Sequence, residues 1–485
     1  MEKMLNRVDF GGRPFHFIGI GGIGMSALAH VLVKHKLPVS GSDARLNPIT
    51  EQLQHLGVRI FPQQEATNLL ALPQLPQVVC STAIHADNPE YKMAVELGCP
   101  ILHRSDLLAA LIERYQSIAV AGTHGKTTTS SMIGYLLLQG GVDPTIIIGG
   151  EVQAWEGNAR TGMGEYLVAE ADESDGSLAK FAPQIGVITN IELDHPDHYS
   201  NLEQVIKIFE TFANHCQTVV ACWDCPTIRD RLTVLPDQSV VSYSLFRESG
   251  ADYSVDQISY GPQGTLAQVW ERGELLGELS TKLLGAHNLK NALAAVAVGR
   301  LLGLDFITIS RGIARFEGAR RRFEVRGEAH GIRFVDDYAH HPSEIRATLA
   351  AGRLQLKSRE EFISPWQRLV AVFQPHRYTR TFTFLTEFSQ AFGDADLVVL
   401  TDIYSAGERD RLVQGQHLAD CMAEYHAQVQ YQPSLEEVKL FLKQTLRPGD
   451  LVLVLGAGNL NQIIPELLDY YQTLPIETIS EVVPL

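Results

Sequence analysis

Short apolar runs, most of them followed by a glycine-rich or polar loop, recur along the chain. They lie at residues 15–20, 37–40, 77–81, 101–103, 117–121, 166–169, 186–189, 332–335, 369–373, 397–400 and 451–455. Such runs are typical of strands buried on both faces of a parallel sheet, and helix-like spacing follows several of them. The pattern predicts an α/β protein whose polar loops lie at the carboxyl edges of its sheets, where such sheets bind ligands.

The chain divides into three predicted domains. Its 485 residues fit about three units of ordinary size. A basic run, Arg320 to Arg322, marks a boundary just after Phe316. We expect a Rossmann-like domain over residues 1–113, a P-loop ATPase-like parallel sheet over residues 114–316 and a second Rossmann-like domain over residues 317–485.

Composition narrows the class of protein. The formal net charge of −16 argues against non-specific binding to nucleic acid or to an anionic membrane. No apolar stretch reaches the ~18 residues that span a bilayer, and the N-terminus has no apolar leader. Six scattered cysteines fit a reducing compartment, and the lone C-x-x-C pair, Cys222 and Cys225, favours packing over metal or redox chemistry. We expect a cytoplasmic protein.

The stretch SIAVAGTHGKTTTSS, from Ser117 to Ser131, predicts a strand, a glycine-rich turn and the start of a helix. Gly122 and Gly125 allow backbone N–H groups to face one anion at the helix N-terminus. Lys126 supplies a charge for the terminal phosphates of a nucleotide, and Thr127 a hydroxyl suited to Mg²⁺. Val120 stands where the usual pattern has its outer glycine, so this phosphate loop is a shorter form.

A second glycine-rich loop follows the first strand. Gly19, Gly21, Gly22 and Gly24 form G-x-G-x-x-G before a helix. Asp43 lies about 20 residues further on, where a dinucleotide-binding fold places its ribose-binding acid. Alone, the loop indicates NAD or FAD, but it can equally hold the diphosphate of another nucleotide-linked ligand or bind nothing.

Carboxylates and histidines follow two strands of the middle third. Glu170 ends one apolar run and opens an acidic cluster beside the phosphate loop, where Mg²⁺ ligands are needed. His195 lies in a loop of two histidines and three acids, which suggests a second metal position or a phosphate contact.

Other candidate residues allow two readings from the residues alone. Asn288 and Asn291 open an alanine-rich helix, where they could contact a nucleotide or act only as caps. The three arginines from Arg320 to Arg322 could form a solvated turn, or one of them could bind a γ-phosphate.

Taken in order, the motifs resemble the Mur ligase family, and the resemblance covers nearly the whole chain. The matching stretches are GIGGIGMSALA (19–29), GSD (41–43), STAIHADNPE (81–90), AGTHGKTTT (121–129), AEADESD (169–175), TNIELDH (189–195), HNLKNALAA (287–295), RRFE (321–324), DDYAHHP (336–342) and FQPHRYTRT (373–381).

The resemblance implies an ATP-dependent ligase that joins L-alanine to the lactyl carboxylate of UDP-N-acetylmuramate through an acyl phosphate. This reaction belongs to peptidoglycan precursor synthesis, and so to cell-wall growth, cell shape and cell division. The implied cofactors are ATP and Mg²⁺. The implied partners are the two small-molecule substrates, with no nucleic acid and no membrane insertion, and we expect a monomer or a weak homo-oligomer.

The family pattern also implies roles for individual residues. The catalytic set is Lys126, Glu170, His195 and Arg322, and the metal ligands are Thr127, Glu170 and His195. The ATP contacts are Gly122, Thr123, His124, Gly125, Lys126, Thr127, Asn288, Asn291, Arg322 and Asp337. The UDP sugar contacts are Gly19, Gly21, Gly22, Gly24, Asp43 and Ser81. The L-alanine contacts are Tyr338, His340, His376, Arg377 and Arg380.

One position departs from several members of the family. They use a carbamylated lysine to hold the second metal, and Phe209, not Lys207, stands at the matching place here. We therefore predict no modified lysine. The alternatives are a ligase that attaches a preformed peptide during cell-wall recycling, a folate polyglutamylating relative, an NAD-dependent dehydrogenase and an ATP-binding regulatory module without chemistry.

Overall fold

The computed structural model describes residues 8–232, 239–357 and 364–474. Its strands form three sheets, of five, ten and six strands, with helices between them. The predicted α/β class is confirmed. The domain boundaries at residues 113 and 316 stay predictions.

The N-terminal sheet has the strand order β3-β2-β1-β4-β5, and all its pairings are parallel. Its strands are β1 Phe15–Ile18, β2 Val39–Ser42, β3 Arg59–Phe61, β4 Gln77–Cys80 and β5 Ile101–His103. Its helices are α1 Ile23–Lys34, α2 Pro48–His55, α3 Thr67–Leu70, α4 Pro89–Glu96 and α5 Arg104–Arg114. The strand order reverses between β1 and β4, which is where a Rossmann-like sheet binds its ligand.

The central sheet has a parallel middle and antiparallel edges. Its order is β15-β14-β13-β12-β11-β10-β6-β9-β7-β8, with β8, β14 and β15 antiparallel to their neighbours. The strands are β6 Gln116–Ala121, β7 Thr145–Val152, β8 Gly157–Arg160, β9 Tyr166–Glu170, β10 Ile185–Ile188, β11 Thr218–Cys222, β12 Ser239–Ser244, β13 Tyr253–Gly261, β14 Gly264–Glu271 and β15 Glu274–Thr281. The helices are α6 Lys126–Gln139, α7 Leu202–His215, α8 Pro226–Arg231, α9 Ala286–Leu301 and α10 Phe306–Arg315.

The C-terminal sheet has the order β16-β17-β21-β18-β19-β20, parallel except for the edge strand β16. Its strands are β16 Glu324–Ala329, β17 Ile332–Asp337, β18 Arg368–Phe373, β19 Leu397–Leu400, β20 Val429–Tyr431 and β21 Asp450–Leu455. Its helices are α11 Pro342–Gln355, α12 Tyr378–Thr383, α13 Leu385–Ser389, α14 Gly415–Ala423, α15 Leu435–Thr445 and α16 Ile463–Thr473.

Packing follows from the apolar runs. One hydrophobic cluster extends from the N-terminal sheet through the central sheet, whereas the C-terminal sheet has two separate clusters. The inner strands are buried on both faces, as in β18, where Leu369 to Phe373 are fully buried. Both cysteines of the C-x-x-C pair are free thiols: Cys222 is buried in the hydrophobic cluster of the central sheet, and half-buried Cys225 packs against it. In the described part of the chain, no helix is long and apolar enough to cross a membrane.

Candidate active site

A cleft of about 1130 Å³ lies where loops of all three sheets meet. A second cavity of about 260 Å³ adjoins it, and His124, Gly125, Arg322 and Glu344 line both. Because the carboxyl ends of parallel strands carry these loops, the fold brings together residues that are far apart in sequence.

The phosphate loop connects β6 to α6. Gly122 (φ 142°) and Gly125 (φ 82°) adopt backbone conformations that other residues disfavour, and a Cβ at Gly122 would collide with Thr189 Oγ1. The Thr189 hydroxyl donates to the His124 carbonyl at 2.6 Å, and the His124 N–H donates to Asn190 Oδ1 at 2.8 Å. α6 begins after Gly125 without a side-chain cap, which leaves its first N–H groups for an anion.

Lys126 pairs with the buried carboxylate of Glu173. Its Nζ donates to the Gly122 carbonyl at 2.7 Å and lies 2.9 Å from Glu173 Oε2. Burial raises the pKa of the Glu173 carboxyl to about 7. Burial alone would lower the pKa of Lys126, but Glu173 and Asp172 raise it overall, so the lysine is charged.

Oxygen ligands suited to Mg²⁺ lie beside the loop. The Thr127 hydroxyl donates to Glu170 Oε1 at 3.1 Å, and the Gly149 N–H donates to Glu170 Oε2 at 2.7 Å. Hydroxyl and carboxylate oxygens are the donors that Mg²⁺ prefers. The pair Thr127 and Glu170 therefore fits the metal role predicted for it.

His195 lies on the other side of Glu173. Its Nε2 is 3.7 Å from Glu173 Oε1 and 3.8 Å from Asp194 Oδ2. Its backbone is left-handed (φ 53°), and its N–H donates to Asp194 Oδ1 at 2.7 Å. Burial lowers its pKa, so the ring is neutral and can act as a metal ligand.

The smaller cavity holds the predicted nucleotide contacts from α9 and the third domain. Asn288, Asn291, Arg322 and Asp337 line it. The Asp337 carboxylate accepts the N–H groups of Phe323 at 2.7 Å and of Ala339 at 2.8 Å. Burial raises the pKa of Asp337 to about 6. These bonds join β17 to the segment that follows Arg322.

The N-terminal loop reaches the cleft only in part. Gly22, Gly24 and Ser81 line the large cleft, whereas Gly19, Gly21 and Asp43 do not. Asp43 Oδ2 instead accepts the Gly21 N–H at 2.8 Å, so the carboxylate holds the glycine loop in place. Gly122 likewise shapes its loop without lining the cleft.

All five residues predicted for L-alanine line the cleft: Tyr338, His340, His376, Arg377 and Arg380. Arg380 Nε donates to Asp194 Oδ1 at 2.8 Å, and their side chains are only 2% and 4% exposed. Arg377 Nη1 lies 2.9 Å from Asp197 Oδ2. These two ion pairs fasten the C-terminal loops to the loop after β10.

Arg104 and Glu344 are among the charged cleft residues that the sequence did not single out. Arg104 donates to Asp172 and Asp175, both at 3.0 Å, and so joins the N-terminal sheet to the acidic cluster. Glu344 lies in the first turn of α11 and lines both cavities. Arg104 directly follows strand β5, and this position at a strand end is the signal that could have identified it. Glu344 follows the DDYAHHP stretch by two residues, which is the one signal for it.

Three side chains beside the phosphate loop have the spacing of a metal site. Ligand atoms of His124, Glu192 and His341 lie within 4.8 Å of one another. His341 Nδ1 accepts the Ser343 N–H at 3.3 Å, and burial lowers the pKa of His341 to about 4. Its ring is therefore neutral, with Nδ1 engaged by the backbone and Nε2 buried without a hydrogen-bond partner among the described residues.

Lys207 is exposed on α7, whereas Phe209 is fully buried. A carbamate on Lys207 would point into solvent rather than toward the metal ligands. We expect the intact mass of the native protein to match its sequence, without the increment of one carbon dioxide. A carbon dioxide adduct on Lys207 in a native mass spectrum would overturn this prediction.

Known protein families match successive parts of the chain that together contribute to the cleft. Three family models match: "Mur ligase family, catalytic domain" over residues 14–116, "Mur ligase middle domain" over residues 120–299 and "Mur ligase, glutamate ligase domain" over residues 321–458. The UDP-N-acetylmuramate--L-alanine ligase of Nostoc punctiforme is 64% identical over 482 residues, which cover 96% of this chain and 98% of the relative.

Solved structures share the fold. The crystal structure of the UDP-N-acetylmuramate-alanine ligase of Thermotoga maritima superposes with a TM-score of 0.79 at 28% identity, covering 95% of this chain and 99% of that one. A MurF ligase of Thermotoga maritima in complex with ADP superposes with a TM-score of 0.58 at 18% identity, covering 81% of this chain and 88% of that one.

Proposed function

The chain belongs to the Mur ligase family, and we propose that the cleft between its three sheets is where it joins L-alanine to UDP-N-acetylmuramate. The protein is an ATP-dependent amide-forming ligase of peptidoglycan synthesis, as its 64% identity over nearly the full length of such a ligase indicates. The observation that carries the site assignment is the meeting of the phosphate loop, the Glu170 carboxylate and the Arg- and His-rich C-terminal face in one cleft.

We propose a reaction in two steps. The lactyl carboxylate attacks the γ-phosphorus of ATP, the bond to the ADP oxygen breaks, and an acyl phosphate forms. The amine of L-alanine then attacks the acyl carbon. The tetrahedral intermediate collapses to the amide and inorganic phosphate, and the amine loses a proton. Phosphoryl transfer needs positioning and charge stabilisation rather than a protein nucleophile.

The phosphate loop supplies the charge for the first step. Residues Gly122 to Thr127 would bind the ATP phosphates through N–H groups, and Lys126 would neutralise charge on the transferring phosphoryl group. Arg322, which also lines the cleft, would add a second cation. Asn288, Asn291 and Asp337 would contact the nucleotide in the adjoining cavity.

Thr127, Glu170 and His195 would hold Mg²⁺. The contact between the Thr127 hydroxyl and Glu170 at 3.1 Å supports the first position, and the neutral ring of His195 supports a second one. When bound, the metal offsets the negative charge of the phosphates.

The outer sheets would bring the other substrates. Gly22, Gly24 and Ser81 line the N-terminal end of the cleft, which supports binding of the UDP sugar there. Gly19, Gly21 and Asp43 would contribute by shaping that loop. Tyr338, His340, His376, Arg377 and Arg380 would form the L-alanine pocket. We further propose that the protein is cytoplasmic and is a monomer or a weak homo-oligomer.

The competing functions explain less of the chain. A dehydrogenase would use only the N-terminal glycine loop and would leave Lys126, Glu170 and His195 without a role. A regulatory ATP-binding module would not need the Arg- and His-rich face of the cleft. The identity to alanine-adding relatives, 61–64% for the first seven, also argues against the peptide-attaching and folate ligases.

Phosphate release tests the proposed function. It should require ATP, UDP-N-acetylmuramate and an amino acid together, and among a panel of amino acids L-alanine should give the highest kcat/KM. ATP turnover that ignores either of the other substrates would refute the proposal.

A further inference from the structure

Glu344 lies where the phosphate loop, the interdomain segment and the alanine-facing loop come together. Its carboxylate lies 3.4 Å from His124 Nδ1, 3.9 Å from Arg322 Nη1 and 3.3 Å from His340 Nδ1. The side chain is 13% exposed. A carboxylate so enclosed costs free energy unless positive or hydrogen-bonding groups compensate it, and all three of its neighbours can do so.

The contact with His124 reaches into the phosphate loop itself. Each ring nitrogen of His124 faces one carboxylate, Glu344 at Nδ1 and Glu192 Oε2 at 3.5 Å from Nε2. Burial lowers the pKa of His124, but Glu192 and Glu344 raise it to about 10. His124 is therefore an imidazolium, held between a loop of the central sheet and a helix of the C-terminal sheet.

The contact with His340 lies at the proposed L-alanine pocket. Glu344 Oε2 accepts the backbone N–H of His340 at 3.0 Å. His340 Nδ1 lies 2.9 Å from the Tyr338 carbonyl oxygen, and the His340 and Tyr338 ring centres are 5.3 Å apart. Both rings line the cleft at the proposed L-alanine pocket. The same carboxylate thus contacts the loop that would hold ATP and the loop that would hold the amino acid.

A simpler account makes Glu344 only a stabilising carboxylate at the start of α11. Its bond to the His340 N–H fits that account, since acids stabilise the first turn of a helix. The account does not explain the approach to His124 and Arg322, which belong to other segments of the chain. Removing a carboxylate that only stabilises α11 would lower the melting temperature without changing two substrate affinities.

We propose that Glu344 is a positioning residue that links the phosphate loop to the amino-acid pocket, so that ordering one site orders the other. The proposal rests on the assignment of the cleft to ligation. Two sites that share one contact are coupled. The first ligand orders that contact, so the second ligand binds with a smaller loss of conformational entropy. Glu344 acts through His124 and His340 rather than by touching the reacting atoms.

Steady-state kinetics of Glu344→Gln test the proposal. The isosteric change removes the charge and keeps the volume. We expect KM for ATP and KM for L-alanine to rise together, each by roughly 10-fold or more, since charge-assisted bonds are lost on both sides. KM for UDP-N-acetylmuramate should stay within about 2-fold, because the described contacts of Glu344 do not include the N-terminal sheet.

A double-mutant cycle with His124→Asn measures whether the two residues act together on KM for ATP. A purely structural role of Glu344 would give independent effects. If Glu344 acts through His124, the two changes should raise KM for ATP by less than the product of their separate effects. The exposed Glu387→Gln, on α13, serves as the matched control and should leave all three KM values unchanged. Should Glu344→Gln fail to fold, Glu344→Asp carries the test, with a smaller rise in the same two KM values.

Three results would overturn the proposal: a lower melting temperature with unchanged KM values, a rise in KM for only one of the two substrates, or independent effects in the cycle. Failure of the ligase function itself would look different, because the unmodified protein would then release no substrate-dependent phosphate.

Discussion

The Lys126→Ala protein is expected to lose substrate-dependent phosphate release by about 10²- to 10³-fold in kcat, a loss typical of removing one charge-stabilising group from a transition state. Lys126 Nζ lies within the phosphate loop, 2.7 Å from the Gly122 carbonyl, and is held as a cation by Glu173 and Asp172. Without it, negative charge on the transferring phosphoryl group has one cation fewer to stabilise it.

The measurement is kcat at saturating ATP, UDP-N-acetylmuramate and L-alanine. Lys92→Ala, at an exposed position of α4, is the matched control and should retain full activity. A Lys126→Ala protein with near-normal kcat and a raised KM for ATP alone would mean that the lysine binds the nucleotide without assisting transfer.

The Arg380→Ala protein is expected to lose about 3–5 kcal/mol of unfolding free energy, because the change leaves Asp194 buried without its partner. The pair is 2.8 Å apart with both side chains almost fully buried, and it joins α12 of the C-terminal sheet to the loop that carries His195. We also expect activity to fall, since loosening Asp194 releases the loop beside the proposed metal ligands.

Urea unfolding measures the first effect, and the substrate-dependent phosphate assay measures the second. Arg231→Ala removes an exposed arginine that pairs with Glu203 and Glu210, and it should destabilise the protein far less, because exposed ion pairs contribute little to stability. Equal destabilisation by Arg380→Ala and Arg231→Ala would contradict the account of the buried pair.

The parts of the site that the sequence predicted are those encoded in contiguous stretches. Lys126 and Thr127 belong to one loop, and Glu170 ends the strand that pairs directly with β6. A strand-end acid beside a phosphate loop is therefore enough to expect the contact that the structure has between Thr127 and Glu170. The strands of the parallel sheets could be predicted for the same reason, since burial on both faces leaves a continuous apolar run.

The antiparallel part of the central sheet could not be predicted in this way. β13 to β15 form hairpins at the sheet edge. In β14 buried side chains alternate with more exposed ones, and the stretch has no long apolar run. Some observed strand ends also differ from the predicted ones, because pairing with a neighbouring strand sets where a strand begins and ends. The run at 37–40 becomes β2 at residues 39–42 because Val39 pairs with Phe15.

Residues that act through distant contacts were the hardest to predict. Glu344 and His124 are 220 positions apart in sequence, and only the docking of α11 on the phosphate loop brings them together. Asp43 shows the opposite case: its spacing from the glycine loop matches a ribose-binding acid, but its carboxylate bonds to the Gly21 N–H. Whether it also contacts a ligand stays a prediction.

The central claim is that the reaction in this cleft proceeds through an acyl phosphate. Transfer of a carboxylate oxygen to the released phosphate tests it. UDP-N-acetylmuramate labelled with ¹⁸O in its lactyl carboxylate is incubated with ATP and L-alanine, and the released phosphate is analysed by mass spectrometry. The account predicts that each phosphate carries one oxygen from the labelled carboxylate, because the acyl–oxygen bond breaks when the amide forms. Amide product accompanied by unlabelled phosphate would contradict it.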